Sequence, residues 1–155
     1  MLTEEGFLNY ALSLDFGEEC LGQHLGGYQA ANLGDGNGQH NQTGILRENF
    51  GDQDYGTCYE SINGGNHFRW WRQNGTEHDS GAFFIAASTE MNSTLGHMIV
   101  PNGYDVGRDD VVSRATASGG TSNAGVAYQT TVEMVPGLLQ GRPLSAAILV
   151  DWVFG

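Results

Sequence analysis

Two stretches of this chain alternate apolar and other residues with a period of two, and that spacing constrains the fold more than any other feature. Val126, Tyr128, Thr130, Val132 and Met134 fall on one side of residues 126–135. In residues 146–154, Ile148, Val150, Trp152 and Phe154 fall on one side and Ala147, Leu149 and Val153 on the other. A strand sends successive side chains to opposite faces, so both stretches read as sheet. The 24 glycines among 155 residues divide the rest into short apolar pieces separated by turns, and only 15% of residues are charged. Helical bundles use more charged and strongly helix-forming residues than this.

The remaining elements follow from the same signals. Residues 7–14 form a strand-like run, and residues 81–88 read as a buried strand. Residues 55–62 and 66–73 read as two strands about Asn63-Gly64-Gly65, a hairpin-type turn. The Gly-, Asn- and Gln-rich segment 22–44 reads as a loop, its centre a turn held by the Asp35 and Asn37 side chains. One helix is expected, with Asp105 as N-cap, acids in its first turn and an end near Gly119-Gly120. The expected fold is mostly β: residues 1–155 as a single globular domain, an antiparallel β-sandwich or half-open barrel with one short helix and long Gly-rich loops.

Charge excludes several partners. Eighteen acidic residues face six basic ones, for a formal net charge of −12, and every basic residue is an arginine. Such a surface repels a phosphate backbone and an anionic bilayer, so neither nucleic acid nor membrane is expected as a partner. Without lysine there is no Schiff-base chemistry and no P-loop, and no organic cofactor is implied.

Cys20 and Cys58 stand 38 positions apart, a spacing that matches no metal or redox motif. One disulfide is the natural reading, with two buried free thiols as the alternative. Asn41, Asn74 and Asn92 each open an N-x-Ser/Thr glycosylation sequon. These features point to secretion, with the signal peptide lying outside this sequence, because Met1-Leu2-Thr3 runs straight into Glu4-Glu5. If Met1 is the native start, a cytoplasmic location follows instead.

The densest concentration of binding chemistry is residues 66–75. On a strand, His67, Arg69, Trp71 and Gln73 share one face: a planar cation, an aromatic platform and an amide, as a polar ligand or a sugar needs. The alternative is a solvent-facing strand whose arginines answer nearby acids. Tyr104 and Arg108 would flank the same pocket, or else Arg108 simply pairs with Asp109 and Asp110. None of the five histidines has metal-ligand spacing, so no metal is expected. There is no G-x-S-x-G nucleophile motif.

Several strings resemble a group of uncharacterised secreted proteins of filamentous fungi. They are Leu33-Gly34-Asp35-Gly36, Gly56-Thr57-Cys58-Tyr59-Glu60-Ser61, Gly65-Asn66-His67-Phe68-Arg69 with Trp71 and Gln73-Asn74-Gly75, and Ser80-Gly81-Ala82. The most specific runs from His97 through Pro101-Asn102-Gly103-Tyr104 to Gly107-Arg108-Asp109. The resemblance covers residues 33–112; it implies secretion and strengthens the disulfide and glycans, but carries no activity.

The expected function is that of a secreted binding protein for a small polar molecule, a glycan or a host or partner protein, using His67, Arg69, Trp71, Gln73, Tyr104 and Arg108. The alternative is an enzyme, a glycan-directed hydrolase or a metal-free cyclase or isomerase of secondary metabolism. In it His67 or His97 is the acid/base and Asp79 orients one of them. A wall-associated or self-assembling protein is the third reading, with the oligomeric state left open.

Overall fold

The computed structural model describes residues 3–18, 28–49, 51, 54, 58–135 and 145–153, the last segment as backbone. In chain order its elements are helix α1 (Glu4–Ser13), strands β1 (Phe16–Gly17), β2 (Ala30–Asn32), β3 (Gln39–Asn41) and β4 (Gly44–Glu48), helix α2 (Tyr59–Asn63), strands β5 (Gly65–Arg72) and β6 (Phe83–Glu90), a 3-10 turn (Ser93–Leu95), helix α3 (Gly103–Ala115), and strands β7 (Thr121–Asn123), β8 (Val126–Val135) and β9 (Ser145–Val153). The fold is mostly β and antiparallel. Seven strands make one sheet in the order β1-β4-β5-β6-β9-β8-β7, and β2 with β3 makes a second. The large sheet does not close on itself, so the arrangement is the sandwich rather than the barrel.

Among the described residues three α-helices occur where one was expected. Residues 7–14 are helical, not extended, because two periodicities overlap there. Leu8, Tyr10, Leu12 and Leu14 alternate like a strand, but Phe7, Tyr10, Ala11 and Leu14 also make a helical stripe, and that stripe is buried. The N-terminus decides between them: Thr3 Oγ1 accepts from the Gly6 N–H at 3.0 Å, and Glu4 and Glu5 occupy the first turn. Within 55–62 the described part, from Tyr59, is also helical, and Asn63-Gly64-Gly65 ends a helix instead of joining two strands. Gly64 has φ +79°, and a Cβ there would lie 2.5 Å from the Glu90 carbonyl oxygen, so the chain passes Glu90 at a distance only glycine allows.

The helix expected with Asp105 as N-cap begins three residues earlier, with Asn102 as N-cap, and ends at Ala115. Within the segment read as loop, β2 and β3 form a small ladder, while the Asn37 N–H donates to buried Asp35 at 3.1 Å as the expected turn requires. Strands β5, β6, β8 and β9 lie where the alternation puts them; Phe154 falls outside the described residues.

The two faces of the large sheet are covered differently. On one, α1 and α3 pack against Phe68, Trp70, Phe83, Ile85, Ala87 and Tyr128, with Phe7 stacked on Phe83 at 4.1 Å between ring centroids. The alternation of β8 is functional in this sense: Tyr128 is buried against α1 and Thr130 hydrogen-bonds the Tyr10 hydroxyl at 2.7 Å, whereas Gln129, Thr131 and Glu133 are exposed. On the other face, Ala31 and Leu33 of the small sheet pack on Trp71 and Ala86. Helix α2 covers the opposite end of β5.

Cys58 is buried just ahead of α2 and is not a free thiol; Cys20 lies outside the described residues. Among the described residues no helix is long and apolar enough to cross a membrane.

Candidate functional site

Strand register builds a polar cluster beside α2. His67 of β5 stands opposite Arg47 of β4 and opposite Ser88 of β6, so all three side chains share one face. Glu90, two residues beyond Ser88, lies on that face as well. Helix α2 brings Glu60 down onto His67, and the turn after β6 carries His97 to Glu90. Backbone geometry fixes that last placement: His97 has φ +56°, left-handed for a non-glycine residue, and its N–H donates to the Asn92 carbonyl at 3.2 Å.

The distances define a chain of charges. Arg47 Nη1 lies 3.0 Å from Glu60 Oε2. His67 Nδ1 lies 3.6 Å from Glu60 Oε1 and 3.4 Å from Glu90 Oε1. His97 Nδ1 lies 3.6 Å from Glu90 Oε2. On its other side, His67 Nε2 is 3.1 Å from Ser88 Oγ. Glu60 and His67 are buried, while His97, with 38% of its side chain exposed, and part of Glu90 face solvent. Three buried atoms of this cluster, Glu60 Oε1, His67 Nδ1 and Arg47 Nε, have no hydrogen-bond partner.

The two carboxylates are driven in opposite directions. Burial is the largest influence on Glu60 and pushes it up, but the neighbouring His67, 3.6 Å away, and the Arg47 charge outweigh it and hold Glu60 below the usual carboxylate range. Burial also dominates at Glu90, where the Glu60 charge adds to it and His67 only partly offsets it, so Glu90 sits above that range.

Of the residues anticipated from sequence, the structure brings His67 and His97 together and disperses the others. Trp71 is fully buried beneath the small sheet, its indole N–H donating to the His40 carbonyl at 3.1 Å, so it is no open platform for a ligand. Gln73 is engaged likewise, donating to the Leu33 carbonyl at 3.0 Å and accepting from Ser80. Arg69 is half-buried on the His67 face, and Tyr104 and Arg108 belong to α3 on the opposite face of the sheet. Arg108 reaches Asp105 at 2.9 Å and Asp109 at 2.8 Å; the ion pair with Asp109 weighed above forms, while Asp110 pairs with Arg114 at 2.9 Å.

Asp79 is exposed on the loop between β5 and β6. His67 is five residues from that end of β5, roughly 16 Å along the strand, so Asp79 does not orient His67. Glu90, which lies beside both His67 and His97, takes the orienting place expected of Asp79. Asn41 and Asn74 are exposed, and Asn92 caps the 3-10 turn by accepting from the Leu95 N–H at 3.0 Å.

Sequence reasoning missed Arg47, Glu60, Ser88 and Glu90. Their only signal is register, since pairing β5 with β6 and β4 sets Ser88 and Arg47 beside His67. Comparison with family models, with curated proteins and with solved structures found no match.

Proposed function

We propose that the chain is a secreted binding protein that receives a small polar ligand at the Glu60–Glu90–His97 corner rather than along the strand surface read from sequence. One observation carries this reading: a buried Glu60 oxygen lacks a hydrogen-bond partner, and the same carboxylate has a donor atom within 4.8 Å of donors on the partly open Glu90 and His97. A buried unsatisfied carboxylate oxygen costs about 1–3 kcal/mol, which a ligand donating to it recovers. Secretion rests on the fungal resemblance, the exposed Asn41 and Asn74 sequons and a Cys20–Cys58 disulfide, which intact mass under non-reducing conditions checks directly. Screening polar metabolites and glycans against the parent and Glu90→Gln tests the binding site. Binding lost in the variant supports it; binding that survives places the site elsewhere.

A second reading, an acid–base enzyme, is favoured by one feature: His67 and His97 flank opposite oxygens of Glu90, giving a path along which a proton can move from the interior to solvent. The Ser88–His67–Glu90 sequence also has the connectivity of a nucleophilic triad, but Ser88 is only 2% exposed and no substrate carbonyl reaches its Oγ. Turnover of any screened ligand that is abolished in His97→Ala would establish the enzyme.

A further inference from the structure

We infer that the ligand of the Glu60–Glu90–His97 corner is a divalent transition-metal ion of the zinc class; this deepens the binding reading above and rests on it. The donor atoms of the three residues all lie within 4.8 Å of one another. Two zinc–ligand bonds of about 2.0–2.1 Å at a tetrahedral angle span about 3.3 Å. The His97–Glu90 pair at 3.6 Å is close to that separation already. The remaining edges need to contract by at most about 1.5 Å, within the rotamer freedom of the partly exposed Glu90 and His97 side chains.

Glu60 is built as a ligand. Arg47 holds its Oε2 at 3.0 Å, and its Oε1 is left with no hydrogen bond, while the carboxylate stays within 4.8 Å of the other two donors. Ligating carboxylates are oriented in this way by an outer hydrogen bond. His67 sits beside both carboxylates as a positioning residue, anchored through Nε2 by Ser88. One nitrogen and two carboxylate donors suit zinc; calcium takes six to eight oxygens, and magnesium prefers near-octahedral oxygen with retained water. Three protein ligands leave one coordination position on the side where His97 meets solvent.

The competing arrangement is a hydrogen bond from His67 to one of the two carboxylates in place of a metal. A charge-assisted N–H···O bond normally spans about 2.7–2.9 Å. His67 Nδ1 instead stands 3.4 and 3.6 Å from the two carboxylates and satisfies neither. Nor does that hydrogen bond explain why a left-handed backbone turns His97 onto Glu90.

The test uses the full chain, stripped with chelator and titrated near neutral pH with Zn2+ by calorimetry and with Co2+ by visible absorption. One equivalent should bind, with the intense band of four-coordinate Co2+. Glu90→Gln and His97→Ala should each weaken Zn2+ binding by about a hundredfold or more. His40→Ala and His78→Ala should leave it unchanged. Absence of binding, or equal binding by all four variants, overturns the inference. Should Zn2+ not bind while an organic ligand binds and is lost in Glu90→Gln, the binding reading stands and the metal falls; should neither bind, both fall.

Discussion

Gly107→Ala sets two effects of opposite sign against each other. Gly107 lies inside α3, where replacing glycine by alanine ordinarily stabilises a helix by about 1 kcal/mol. Here an added Cβ would stand 2.7 Å from Ser88 C and 2.8 Å from its Cα and N, against an ordinary carbon–carbon contact of about 3.5 Å or more. Ser88 cannot retreat, because β6 is held to β5 through an eight-pair register that includes Ser88 and His67. The helix must therefore move outward by several tenths of an ångström and loosen Val111 and Ala115, which lie on the same stripe and are buried against the sheet. Overpacking of this kind costs about 1–3 kcal/mol, and contact with three backbone atoms puts it at the upper end.

The clash wins, for a net loss of about 2 kcal/mol and a fall in Tm of about 4–8 °C in a domain of this size. Thermal unfolding followed by circular dichroism measures it, with exposed Val106→Ala as the neighbouring control, expected within about 0.5 kcal/mol of the parent. A Tm for Gly107→Ala at or above the parent's would refute the close approach of α3 to β6.

Other perturbations have equally definite outcomes. Burial raises the Tyr10 hydroxyl to about 12, partly offset by its bond to Thr130. An acid whose folded pKa is raised stabilises fully below its unfolded value of about 10 and loses that stability as pH climbs toward 12, so denaturant midpoints should fall across this window by up to about 3 kcal/mol. Tyr10→Phe should flatten the decline. Phe7→Ala removes a ring packed between Trp70 and Phe83 and should cost about 3–5 kcal/mol in chemical denaturation. Arg47→Ala leaves the fully buried Glu60 without its closest cation and should cost about 3 kcal/mol at neutral pH, whereas exposed-site controls shift little.

How much could be read in advance depended on what covers each face. The alternation of β8 was legible because one side meets α1 and the other meets water. The same logic misjudged β5, where Trp70 and Trp71 point to opposite faces and both are buried, so an aromatic among arginines was taken for an open platform. In α1 the strand and helix periods coexist, and only the Thr3 cap with Glu4 and Glu5 separates them. The four-residue steps Gly103, Gly107, Val111 and Ala115 mark the face α3 lays on the sheet, a pattern present in the sequence but submerged in a glycine-rich background. His67 and His97 were identifiable as titrating groups. Arg47, Glu60, Ser88 and Glu90 join them only through three-strand register and a helix that the hairpin reading of 55–73 replaced.

The position of β9 has a bearing on how the molecule is made. It lies between β6 and β8, with three paired residues on one side and nine on the other, and among the described residues it is the strand that joins β7 and β8 to the rest of the large sheet. Without residues 145–153, β6 and β8 would each be left with an unpaired edge. Pairings that distant in sequence form slowly. Nascent chains stalled before residue 145 should therefore be protease-sensitive and prone to edge-to-edge association, and resistance should arrive in one step with β9.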